Sequence, residues 1–288
     1  PDPLISRDRV TALYPVLGVP KGQGDSRHDE RMKREMSALT PLCPPIEVGD
    51  RQLLLVAASV LDYCGDAFVN AANEGCVGGF GIDEVVNQSG GPELKAARKL
   101  LGGCPTGNAK STPAFDHGNT KHIVHAVGPV YRVNRMKQGF DKDDKQAQAY
   151  MLSLDPLLRD AYRASMRCAS TDCSATSLGM CLLSAGVFRG ARPLDDVIEI
   201  GLRTVAHALA VSDACAAGLR EVTICAFSEE EQLALSTAAQ GLREEIAQGG
   251  DGSDHVLTRV ILRPMAAPVP EPEPESRTEH NSFEGAYD

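Results

Sequence analysis

The feature that most limits what this chain can fold into is its alternation of short apolar runs with longer segments of helical periodicity. The runs "QLLLVAA", "DAFVN", "KHIVHAV", "GMCLLSA", "EVTICAF" and "VLTRVIL" have strand length, and several are apolar without a break. Unbroken apolarity marks strands covered on both faces, whereas a sheet with one wet face alternates. Between them lie "IDEVVNQ", "PELKAARKLL", "DPLLRDAYRASMRCA", "DDVIEIGLRTVAHALAVSDACAA" and "EEEQLALSTAAQGLREEIA", read as helices. The first stops at Ser89-Gly90-Gly91, and the second starts with Pro92, a favoured first helical residue. This order predicts an α/β fold, a three-layer α/β/α sandwich around a mixed central sheet.

Three segments stand outside the alternation. Residues 1–50 are polar and punctuated by Pro, with a helix expected in "DERMKREMSAL", and read as an extension packed on the core. Residues 51–264 form the domain itself, with a polar surface insertion near 132–149 that runs into a helix. Residues 265–288 are rich in Pro and Glu and lack the apolar groups that would offset ordering entropy. They read as a disordered tail.

Composition excludes several classes of function. A net charge of −10 over 288 residues argues against a broad nucleic-acid surface, which draws on clustered Lys and Arg. It leaves room for one local anion pocket built from backbone N–H groups. No apolar stretch approaches the roughly 20 residues of a membrane span, and "PDPLISRDRV" has no signal-peptide core. The nine cysteines form no CxxC pair and no metal-ligand spacing, which points to a reducing compartment, cytoplasm or nucleus. The expectation is an intracellular monomer that needs neither metal nor cofactor.

The stretch "DAFVNAANEGCVGGFGID" carries the functional signal. In open α/β sheets ligands collect at the carboxyl ends of strands. Asn70 and Asn73 stand at such an end, and their carboxamides suit the vicinal hydroxyls of a sugar. Gly78, Gly79 and Gly81 let the backbone approach a ligand with N–H groups turned toward phosphate. Asp83 falls in the first turn of the next helix, where the macrodipole favours a carboxylate. Taken singly these are a turn, a loop and a helix start, and neither GxGxxG nor GxxxxGK[ST] is present.

Together they resemble the signature of the macrodomain family, in which an NAAN strand end leads through a glycine-rich loop into a helix. The spacing from Asn73 to Asp83 is similar to that of the hydrolytic MacroD-type branch, which has "GGGGVD" where this chain has "GGFGID". "CPTGNAKST", "KHIVHAVGPVY", "LLSAGVF" and "VTICAF" resemble further strands and loops of that branch in the same order, from about residue 52 to 235. The resemblance implies a cleft for ADP-ribose. Ser59 and Val60 stand at the adenine-reading position. Asn70 and Asn73 would serve the sugar, with Asn73 on the distal ribose. Backbone N–H groups of Val77, Gly78, Gly79, Phe80, Gly81 and Ile82 would hold one side of the diphosphate. Ser184, Ala185, Gly186, Val187 and Phe188 would close the other side, with Phe188 on the distal ribose and Phe227 on the adenine. The implied partners are ADP-ribose, O-acetyl-ADP-ribose and proteins mono-ADP-ribosylated on Asp or Glu. Asn73 and Asp83 would be the catalytic pair, with Asp83 steering a water for a gain of ~10²–10³-fold. The alternative is a reader that binds ADP-ribose without turnover.

This chain departs from the family pattern at three places. Phe80 replaces a glycine of the loop, and Ser59 stands where the family carries an adenine-reading aspartate, with Asp62 a rival only if the register slips. "FRGARP" replaces a shorter turn, so Arg189 or Arg192 reaches the diphosphate or the target, or is a solvated loop arginine. His122 and His125 sit in an apolar strand and read as packing or supporting residues. Cys76 reads as loop filler and "EEE" as the acidic start of a helix.

Overall fold

The computed structural model describes residues 39–132, 144–211 and 216–248. Strands β1 (Thr40–Pro41), β2 (Ile46–Val48), β3 (Arg51–Ala57) and β4 (Gly65–Ala71) lead into helices α1 (Ile82–Ser89) and α2 (Gly91–Leu100). Strands β5 (Ala109–Pro113) and β6 (Thr120–Ala126) follow, then α3 (Asp144–Ser153) and α4 (Asp155–Arg167), which ends in a π turn over Cys168–Asp172. Strand β7 (Ser177–Cys181), α5 (Leu194–Ala210), β8 (Glu221–Ala226) and α6 (Glu229–Gln248) complete it.

The strands form one eight-stranded sheet in the order β1-β3-β8-β7-β4-β6-β5, with β2 also on β3. Strands β3, β8, β7, β4 and β6 run parallel; β1 and β2 pair antiparallel with β3, and β5 with β6. The sheet is mixed, as expected. Helices α4, α5 and α6 pack on one another in series and reach β5, β6, β2, β3 and β8, while α1 and α2 pack together against β4 and β5. Phe68, Leu53, Leu55, Ile123 and Leu178 are fully buried under the helical layers, and Leu158, Tyr162, Val197 and Leu235 meet them from the helices.

Some boundaries differ from the sequence reading. Residues 40–48, the last part of the segment read as an extension, add two edge strands to the sheet, so the sheet begins before residue 51. The run "GMCLLSA" stays in the sheet only to Cys181, and Leu182 onward is already loop. The "DERMKREMSAL" helix, the strand "VLTRVIL", most of the insertion and the C-terminal tail lie outside the described residues.

Parallel pairing brings the carboxyl ends of five strands to one rim: Ala57 stands beside Ala226, Cys181 beside Cys225, Val69 beside Met180, and Ala71 beside Ala126. Chain segments therefore leave the sheet side by side in the order β3, β8, β7, β4, β6.

Candidate functional site

A cleft of about 800 Å³ opens across that rim. Ser59, Val60, Asn73, Gly78, Gly79, Phe80, Gly81, Ile82, Asp83, Ser184, Gly186, Val187, Phe188 and Phe227 all line it. Asn70, Val77 and Ala185 do not. Val77 is half exposed beside the loop, Ala185 is buried beneath its own loop, and Asn70 is fully buried below the floor. The strand order lays the site out: Ser59 and Phe227 follow β3 and β8, and the loop holding Phe188 follows β7. Asn73 follows β4.

The loop between β4 and α1 is shaped by Asn73. Its Nδ2 donates to the Gly78 carbonyl at 2.6 Å, and its Oδ1 accepts from the Cys76 N–H at 3.1 Å. The carboxamide expected on a sugar hydroxyl is thus engaged in folding the loop. Gly79 lies flat on the floor, where an added Cβ would stand 2.9 Å from Asp83 Oδ2. Gly81, with φ 68° and ψ −133°, turns the chain into α1 in a conformation that L side chains rarely adopt. Among the described residues, the N–H groups of residues 77–81 donate to no other residue. Residues 78–81 form one wall of the cleft at a helix N-terminus, the arrangement that attracts anions.

The opposite loop is pinned from below. The buried Tyr162 hydroxyl accepts from the Leu183 N–H at 2.9 Å, Ser184 Oγ donates to the Pro129 carbonyl at 2.8 Å, and Tyr131 N–H donates to the Phe188 carbonyl at 2.7 Å. Ser184 has φ 56°, a left-handed conformation rare for a non-glycine residue and held here by those anchors. The N–H groups of residues 184–188 likewise have no acceptor among the described residues. Two loops with unspent amides therefore face each other across the sheet end.

Beneath them lies a buried polar network. Asp83 is 2% exposed rather than solvent-facing. Its Oδ1 accepts from Asn70 Nδ2 at 2.6 Å and stands 2.6 Å from Arg98 Nη2. Arg98, fully buried, also donates to the Cys76 carbonyl at 2.9 Å and to Asn87 Oδ1 at 2.7 Å. Asn70 Nδ2 makes its second contact, 3.1 Å, to His125 Nδ1, and His125 Nε2 stands 3.0 Å from Thr112 Oγ1. Nδ1 therefore accepts and Nε2–H donates to Thr112. Burial, assisted by the Arg98 charge, holds His125 well below its ordinary 6.5, so the ring is neutral. Asp83 Oδ2 is left with no protein donor, tucked against Gly79 at the cleft floor.

Arg98 is the residue that sequence reasoning missed. Its signal is spacing: it lies four residues after the fully buried Leu94, so the helical period puts it on the inward face of α2. His125 takes the supporting place expected of it. Arg192 does not reach the cleft; it is buried, 2.9 Å from Asp155 Oδ2 and 2.7 Å from Asp196 Oδ2. Arg189 folds onto its own loop, donating to the Ala185 and Arg192 carbonyls.

At the other end, Ser59 Oγ accepts from the Leu61 N–H at 3.3 Å as the cap of the short turn Val60–Asp62, and Asp62 does not line the cleft. Glu231 accepts from the N–H groups of Phe227 and Ser228 while Ser228 Oγ accepts from the Glu231 N–H, a capping box that starts α6 and sets Phe227 at the rim. Phe80 is 90% exposed and Phe227 74%, so both stand at the mouth of the cleft. Cys76 is buried and its thiol is pushed up by burial, which removes it as a nucleophile. Among the described residues no group of three or more His, Cys, Asp or Glu could hold a metal, and no helix is long and apolar enough to cross a membrane.

The profile of the Macro domain family matches residues 69–200, which carry the Asn73 loop, the buried network and the Phe188 loop. A macro domain-containing protein of Caldanaerobacter subterraneus subsp. tengcongensis is 32% identical over 197 residues, 66% of this chain and 97% of that protein. Among solved structures, the Oceanobacillus iheyensis macrodomain with ADP aligns at 23% identity and TM-score 0.57, over 69% of this chain and 96% of that one. The Trypanosoma brucei macrodomain in complex with ADP aligns at 25% identity and TM-score 0.56, over 71% and 75%. Its complex with ADP-ribose aligns at 24% and 0.54, again over 71% and 75%. Fold and site thus define an α/β/α domain built around a strand-end cleft. This chain belongs to the macro domain family.

Proposed function

We propose that this cleft binds ADP-ribose and that the protein removes mono-ADP-ribose from Asp or Glu side chains and deacetylates O-acetyl-ADP-ribose. The observation that carries the binding is the pair of facing loops whose amides, residues 77–81 and 184–188, have no protein acceptor. A diphosphate between them would receive N–H donors from both sides without a single lysine, which suits a chain of net charge −10. The ADP and ADP-ribose complexes of the trypanosomal relative support the same ligand class. Adenine would lie at Phe227 and Ser59, and the distal ribose at Asn73 and Phe188.

Hydrolysis adds water across the ester, returning a hydroxyl to the ribose and a free carboxylic acid to the target. Asp83 Oδ2, the oxygen not taken by Asn70 or Arg98, is the acceptor that would hold that water. Its burial is also the observation that favours the alternative, a reader without turnover.

Turnover of a Glu-linked auto-modified substrate by wild type and Asp83→Asn tests this. Asparagine is chosen because its Oδ1 can still accept from Asn70 and Arg98, where alanine would accept from neither. The expected result is a fall of at least ~100-fold with ADP-ribose affinity kept within a few-fold. Equal rates in the two proteins would remove Asp83 from the mechanism. Tight binding with no release by wild type would make the protein a reader.

A further inference from the structure

A second pocket, about 550 Å³, adjoins the cleft and shares Asn73 and Phe188 with it. It lies past the end of β4 and over the end of β6, with Val127 and Pro129 in its wall and α3 and the start of α4 closing it through Tyr150, Leu154 and Leu157. Thus it continues the line along which the proposed ligand would lie, with adenine at the ends of β3 and β8, the diphosphate above β7 and β4, and the distal ribose at Asn73. The next group along is whatever the ribose carries.

The lining of this annex is selective. Val130, 42% exposed, presents an apolar edge opposite the two leucines. Its charged lining residue is Glu74, whose Oε1 accepts from both the N–H and the hydroxyl of Thr106, at 3.2 and 2.7 Å. Those bonds fix the carboxylate in place and hold it in its charged form below its ordinary 4.5. A fixed negative charge beside an apolar wall accepts a peptide N–H, welcomes an apolar side chain and repels an acidic one.

We infer that the annex receives the target peptide, taking an apolar residue that flanks the ADP-ribosylated side chain and rejecting an acidic one. This rests on the ADP-ribose reading above, and adds to it a preference for the sequence around the modified residue. Asn73 and Phe188 stand at the threshold, so the ribose linkage would lie between the two pockets.

The test uses two peptides ADP-ribosylated through a hydrolysis-resistant amide and differing only in the flanking residue, Leu or Glu, with free ADP-ribose as a third ligand. Calorimetry on wild type should give the Leu peptide an affinity at least about tenfold above the Glu peptide. Val130→Lys, at a half-exposed position outside the ADP-ribose cleft, removes the apolar edge and offsets the Glu74 charge, so it should abolish that difference while ADP-ribose affinity stays within about twofold, which also reports that the protein is folded. Equal affinities for the two peptides, or a Leu preference that survives Val130→Lys, would overturn the inference and leave the ADP-ribose reading standing. Absence of ADP-ribose binding would instead overturn the reading on which it rests.

Discussion

A single methyl group added at Gly79 would meet Asp83 Oδ2 at 2.9 Å and Asn73 Nδ2 at 3.2 Å. Neither neighbour can give way, because one is tied to Arg98 and Asn70 and the other to the Gly78 carbonyl. Gly79→Ala should therefore lift the loop and weaken ADP-ribose binding at least tenfold, at a stability cost of about 1–3 kcal/mol, readable by calorimetry and denaturant titration. Arg98→Met leaves Asp83 buried without its counter-charge and should cost about 3–5 kcal/mol. Pairing it with Asp83→Asn removes the uncompensated charge, so the double variant should be more stable than Arg98→Met alone; an equal or lower stability would show that the ion pair is not what Arg98 supplies. At this scale the sequence made the motif legible but not its wiring. Asn70, Asn73 and Asp83 stood out as polar residues at a strand end and helix start. That Asn70 would spend its amide on Asp83 and His125, and that a lysine- and arginine-bearing helix would turn one arginine inward, depends on packing partners many residues away.

At the scale of elements, the apolar runs β3, β4, β6 and β8 were readable because strands buried on both faces cannot hide their composition. The edge strands carry no such run: β1 has two residues, β2 three, and β5, "AKSTP" with one buried position and a proline at its end, was indicated only by the family resemblance of "CPTGNAKST". Edge strands need no apolar run and tolerate proline, so neither rule finds them. Strand β6 carries its own test. Its His125 is neutral in the fold, lowered by burial and then by Arg98, and His122 and the nearby His117 are lowered as well, chiefly by burial. In the unfolded chain these rings take a proton as pH falls through 6.5, while the folded protein does not. The stability they allow is complete above that value and is lost below it, by up to about 1.4 kcal/mol per pH unit for His125. The midpoint of thermal unfolding should drop between pH 7.5 and 5.5, and His125→Asn should flatten the drop. A wild-type midpoint that does not move would contradict the neutral ring.

Over the whole molecule, five neighbouring strands deliver their connecting loops to one rim in a fixed order, and that order gives the cleft its polarity from Phe227 to Asn73. An acidic chain can hold an anion there because the donors are main-chain amides, aimed by Asn73 on one side and by Tyr162 and Ser184 on the other. The most direct test is an amide-resolved NMR titration with ADP-ribose, with adenosine as the comparison. Saturable shifts should appear with ADP-ribose at residues 77–83 and 184–188 together, and adenosine should move only the Ser59 and Phe227 end. Unmoved amides in both loops at saturating ADP-ribose would contradict the account.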